Sequence, residues 1–201
     1  DVIALAHLAH LLPADQSSQI IACIDVRQNR QTALHIGQKF TGNAVGLVPR
    51  VQRHNAHAAL RVQVQAQLAD LGWDDFEAGW LAVGTGTTLA GLVLAEGGQR
   101  RVYGALAVGP GHGAQEQVNA LCGERGHTLL DASRGGFAKM DSALLAFMRD
   151  CEAEAGIPLE PVYTAKALWA LREAAMAGVL AAGSRVVFVH TGGLQGCRAA
   201  P

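Results

Sequence analysis

Between Leu81 and Gly91 the chain reads LAVGTGTTLAG, a set of residue types and spacings suited to holding an anion. Gly84 and Gly86 free the backbone to turn sharply and to approach a ligand closely. Thr85, Thr87 and Thr88 add hydroxyls beside the amides that the first turn of a helix leaves unpaired. A helix dipole and free N–H groups converging on one point favour phosphate, so the chemistry predicted here is the holding of a phosphate-bearing cofactor or substrate. No lysine follows Thr87 or Thr88, which separates the stretch from a nucleotide P-loop. Its spacing is not G-x-G-x-x-G either. About 20 positions on, where a nicotinamide-binding fold places an acidic residue, stand Arg100, Arg101 and Tyr103.

Such a corner needs a strand to deliver it and a helix to receive it. Gly79 to Val83 is apolar and reads as the strand, and Thr88 to Ala95 as the helix. Val102 to Val108 follows as a strand, then a GPGHG loop, Gly109 to Gly113, which carries His112 as a loop residue. Ala114 to Cys122 predicts a helix and His127 to Leu130 a short strand. Asp141 to Ala155 predicts a helix capped by Asp141 or Ser142 and ended by Gly156. Thr164 or Ala165 to Ala177 is another helix, and Arg185 to Val189 a last strand that delivers His190 and Thr191 to a second glycine turn. Upstream, Val2 to Leu12 has helical spacing with His7 and His10 on its surface, Ile20 to Ile24 reads as a core strand, and Gln28 to Phe40 as a helix. Ala44 to Val48 reads as a strand and His54 to Leu71 as a helix. Alternating strands and helices predict an α/β fold, a parallel sheet with helices on both faces. Ligands in such sheets sit beyond the strands' carboxyl ends, which puts Gly84 to Thr88 and Gly109 to Gly113 on the binding edge.

With 201 residues, half of them hydrophobic, and a formal charge of -1, the chain can bury a substantial core and offers nucleic acid no basic surface. No apolar run is long enough for a bilayer and no basic-then-apolar leader is visible, so no membrane partner and a cytoplasmic location are expected. Cys23, Cys122, Cys151 and Cys197 are scattered without metal-ligand spacing, which predicts buried thiols and no metal. Lys139 and Lys166 read as solvated cations at helix ends, and Trp169 as a packing residue. Tyr163, just before a helix, can stack, donate its hydroxyl proton or simply pack.

Four stretches, LAVGTGTTLAGL, GGFAKMDSALLAF, GIPLEPVYTAKALWAL and VFVHTGGLQG, resemble in order and spacing the pyridoxal-phosphate enzymes of the D-cysteine desulfhydrase and 1-aminocyclopropane-1-carboxylate deaminase family. The resemblance spans roughly Gly79 to Gly196. It implies a tryptophan synthase β-like fold (pyridoxal-phosphate fold type II), with 51–201 as the large cofactor domain and 1–50 as a remnant of an incomplete smaller one. It also implies a homodimer, pyridoxal 5'-phosphate as cofactor and a small amino acid as substrate. The family's phosphate loop maps onto Gly84, Thr85, Gly86, Thr87 and Thr88, and its active-site tyrosine onto Tyr163. The threonine beside the pyridine nitrogen maps onto Thr191, with Gly192 and Gly193 under the ring. Family deaminases carry a glutamate after the tyrosine that keeps the ring nitrogen protonated; here Thr164 takes that place, which suits β-elimination and makes desulfhydrases the nearer relatives.

The first 70 residues depart from this pattern. The family's Schiff-base lysine and its QSNH turn have no counterpart; Asp25 to Ala33 matches only through Arg30-Gln31-Thr32-Ala33. Lys39 follows that segment instead of preceding it and reads as a surface residue. Two classes of function therefore stand: a pyridoxal-phosphate-dependent elimination or deamination that releases pyruvate and ammonia, or a non-catalytic relative that binds a phosphorylated small molecule.

Overall fold

The computed structural model describes residues 20–26, 34–39, 75–156, 158–181 and 183–191, the first two segments as backbone alone. Among the described residues six strands form one sheet: β1 (Ile20–Val26), β2 (Leu34–Lys39), β3 (Ala78–Val83), β4 (Arg101–Leu106), β5 (His127–Asp131) and β6 (Arg185–His190). Among the same residues four helices accompany them: α1 (Thr87–Glu96), α2 (Ala114–Cys122), α3 (Ser142–Ala155) and α4 (Thr164–Met176). The strand order is β2-β1-β6-β3-β4-β5, in which β6, β3, β4 and β5 are parallel. Strands β1 and β2 extend the sheet antiparallel beyond β6.

The core follows from alternation along the strands. Trp80 and Phe188 point to one face with Ala78 and Val186, where α3 and α4 add Leu144, Phe147, Leu168 and Leu171. Leu81, Val83, Val187 and Val189 point to the other, where α1 and α2 bring Leu89, Leu92 and Val118. Both faces are thus covered, as a parallel sheet requires. The Trp80 indole, fully buried, donates to the Ala167 carbonyl at 2.8 Å and so ties α4 to the middle of the sheet.

Gly104 marks the tightest packing. A Cβ there would lie 2.6 Å from Leu129 Cδ2, 2.7 Å from Val83 Cγ2 and 2.8 Å from Leu89 Cδ2. Gly104→Ala is expected to destabilise the chain by about 1–3 kcal/mol through overpacking, a loss that denaturant unfolding would measure.

One expected element is overturned. Where Gln28 to Phe40 predicts a helix, Leu34–Lys39 is strand β2, with Leu34 opposite Val26 and Ile36 opposite Ile24. Leu34 and Ile36 alternate with His35 and Gly37, a period of two that aligns apolar residues across a strand pair. The expected helices over Val2 to Leu12 and His54 to Leu71, and the strand over Ala44 to Val48, lie outside the described residues.

Candidate functional site at the sheet's switch point

The chain runs outward from β3 through α1 to β4 and through α2 to β5, then returns across the opposite face through α3 and α4 to β6, on the other side of β3. The direction reverses between β3 and β6, and at such a point the carboxyl ends of two neighbouring strands leave a crevice for a ligand. Leu81 pairs with Val189, so Gly84 and Thr191 leave the sheet side by side.

Beyond β3 the chain turns directly into α1. Gly86 is its N-cap, with φ of 87°, and no side chain caps the helix, which leaves the first-turn amides turned to the crevice. The glycine is needed twice over: a Cβ would fall 2.3 Å from Val118 Cγ2, and the left-handed backbone itself disfavours one. Thr85, Thr87 and Thr88 are exposed, the first two with hydroxyls 3.3 Å apart. Uncapped amides, a positive helix end and exposed hydroxyls make this a cradle for phosphate.

Tyr163 covers the corner from the opposite layer. Its Cε1 would lie 3.2 Å from a Cβ on Gly84, so glycine is what admits the ring, and Phe137 meets its edge at 6.1 Å between centroids. The ring is held there by Glu160, which is buried. Its carboxylate accepts from the amides of Val162 (2.8 Å), Tyr163 and Thr164 (2.7 Å). Helix α4 is therefore capped by a carboxylate, whereas α1 is left open for an anion from outside. Thr164 is buried; its hydroxyl accepts from the Glu160 amide at 2.9 Å and donates to the Glu160 carbonyl at 3.3 Å. Thr191 is exposed just past β6, preceded by His190, whose buried ring contacts the Pro158 carbonyl at 2.9 Å. Burial pushes the His190 pKa down, which keeps that imidazole neutral. Gly192 and Gly193 lie outside the described residues.

Lys166 corrects its expected place as a solvated cation. It is fully buried, and its ammonium donates to the carbonyls of Ser133 (2.8 Å), Gly136 (2.9 Å) and Ala107 (3.5 Å). Burial pushes its pKa down, and Arg134 nearby pushes the same way, against Glu160, Asp131 and Asp141. Lys139 is exposed, as expected. Trp169 is half-buried, edge-on to Phe147 and stacked under the Arg134 guanidinium at 4.2 Å. His112 is exposed in the loop before α2. Cys151 is buried, which pushes its thiol up to about 12 and leaves it unreactive. Glu160 carries no helix-start signature in the sequence, where a Ser, Thr, Asp or Asn cap marks a start; only the folding of residues 160–164 back on themselves turns its carboxylate to the amides.

No protein-family model matches the chain. Proteins named "Putative 1-aminocyclopropane-1-carboxylate deaminase" do match: that of Pyrococcus furiosus is 30% identical over 61% of this chain and 41% of its own length. That of Pyrococcus abyssi is 32% identical over 57% of this chain and 38% of its own length. A solved structure described as an ACC deaminase homologue superposes with a TM-score of 0.55 and 28% identity, over 68% of this chain and 45% of that one. The chain thus spans less than half the length of each of these relatives. Among the described residues no helix is long and apolar enough to cross a membrane. With the doubly covered parallel sheet and a glycine-threonine corner at its switch point, these likenesses show an α/β fold of type II in a chain similar to 1-aminocyclopropane-1-carboxylate deaminase homologues.

Proposed function

We propose that the chain binds pyridoxal 5'-phosphate by its phosphate at Gly84 to Thr88 and serves a β-elimination or deamination of a small amino acid, in the manner of a D-cysteine desulfhydrase. The observation that carries this reading is the uncapped start of α1 facing Tyr163 across Gly84. When bound, the cofactor supplies an electron sink for bonds at the substrate's α-carbon. The protein's part is to hold and orient: amides and threonine hydroxyls take the phosphate, and the Tyr163 hydroxyl is placed to hold or move a proton beside it. The exposed Thr191 would offer the ring nitrogen a hydroxyl, and Thr164, buried with its own hydroxyl engaged by the Glu160 backbone, stands in place of a carboxylate; a neutral ring nitrogen favours elimination over ring opening. A homodimer, a cytoplasmic location and release of pyruvate and ammonia belong to the same proposal.

A second reading, a relative that binds the phosphate ester without catalysis, is supported by the lysines. Of the three in the chain, Lys166 is engaged by carbonyls, Lys139 is exposed, and Lys39 stands on β2 with Ile21 of β1 between it and Val189. Titrating the purified chain with pyridoxal 5'-phosphate tests both readings. Saturable binding displaced by inorganic phosphate is expected; no saturation, or binding that phosphate leaves untouched, contradicts the site. A visible absorbance band of lysine-linked cofactor that disappears in Lys39→Ala would favour the catalytic reading over binding alone.

A further inference from the structure

The Lys166 side chain enters a pocket made of main chain. Ala107 ends the run from β4, and Ser133 and Gly136 bracket the turn after β5, so three carbonyls from two loops converge on one ammonium. All three are acceptors only. Each N–H of the ammonium has one to serve, and no donor is aimed at a neutral amine's lone pair, so the geometry fits the charged form. The turn is wound to present those oxygens: Arg134, Gly135, Gly136 and Ala138 have φ of 52°, 91°, 138° and 54°. Two of these residues carry a side chain in the left-handed region, a strain that persists only where the surroundings hold it. The ionisable groups facing the ammonium are Glu160, Asp131 and Asp141, which favour it, and Arg134, which opposes it.

We propose that Lys166 is a tethered monovalent cation that fastens the loops after β4 and β5 to α4, and that its removal leaves a carbonyl site able to take a free monovalent cation, ammonium or potassium. It is a positioning residue. Lys166 lies one turn after Tyr163, and the turn it gathers leads into Phe137, which meets the Tyr163 ring. The carbonyl oxygens substitute for a hydration shell; those of Ser133 and Gly136 also accept from the amides of Gly136 (3.2 Å) and Lys139 (3.3 Å), so a cation lost from among them removes the charge-assisted bonds that draw the two loops together. None of this depends on which ligand the crevice binds.

Thermal unfolding of the full chain in chloride salts of choline, potassium and ammonium, at equal ionic strength, provides the test. Lys166→Met keeps the stem and removes the charge, and is expected to lower Tm by roughly 5 °C or more in choline. Lys166→Ala opens space for a free ion. It should gain about 3 °C or more in ammonium or potassium over choline, a gain the parent chain should not show. A Met variant melting with the parent would overturn the proposal, as would an Ala variant indifferent to the cation. Should Lys166→Ala fail to fold in choline, refolding takes over as the readout: recovery in ammonium or potassium alone supports the tethered cation, and equal failure in all three salts counts against it.

Discussion

Gly86→Ala is expected to weaken phosphate binding about tenfold or more, the loss of one charge-assisted amide hydrogen bond, and to destabilise the fold as well. Two costs combine at this position. An alanine held at φ of 87° loses about 1–2 kcal/mol to the left-handed backbone. Its methyl, 2.3 Å from Val118 Cγ2, adds an overpacking cost of about 1–3 kcal/mol unless the corner shifts. If it shifts, the α1 amides no longer converge. The two costs separate in a double-mutant cycle with Val118→Ala, which makes room for the methyl but leaves the backbone strain. A favourable coupling of about 1 kcal/mol or more in urea unfolding is expected; strict additivity would show that Val118 is not what the methyl meets.

Glu160→Ala is expected to cost the fold roughly 3–5 kcal/mol, since it strips three amides at the start of α4 of one charged acceptor. The carboxylate is buried and accepts from Val162, Tyr163 and Thr164. Without it Tyr163 loses its anchor over Gly84. Glu160→Gln keeps the shape but turns an amide donor toward backbone donors, so a loss intermediate between parent and alanine is expected. Chemical denaturation measures both variants, and phosphate affinity should fall with the order of the Tyr163 ring. An alanine variant as stable as the parent would show that the cap does not hold the helix.

The switch-point crevice was legible in the sequence because its residues are constrained locally. A glycine with positive φ before an apolar helix, threonines at its start and a run of buried residues before it can be read without knowing what packs nearby. Asp141, a local cap that accepts from the Leu144 amide at 2.8 Å, was legible for the same reason. Lys166 and Glu160 were not. A lysine on a helix reads as a solvated cation, and only the tertiary approach of the loops after β4 and β5 turns its position into an ion's cage. Strand β2 is not legible in the sequence, because six residues carry too short an alternation to outweigh helix propensity until β1 pairs with them. That Gly84 and Thr191 emerge together could be inferred only from strand order, which depends on α3 and α4 crossing the sheet's other face.

Site-resolved amide resonances under a phosphate titration test the central claim most directly. The backbone signals of Gly84 to Thr88 should shift and saturate with inorganic phosphate and then move on to a second saturating position when pyridoxal 5'-phosphate replaces it at the same amides, while those of the carboxylate-capped start of α4 move less. Unshifted signals at residues 84–88, with binding recorded elsewhere on the chain, would contradict it.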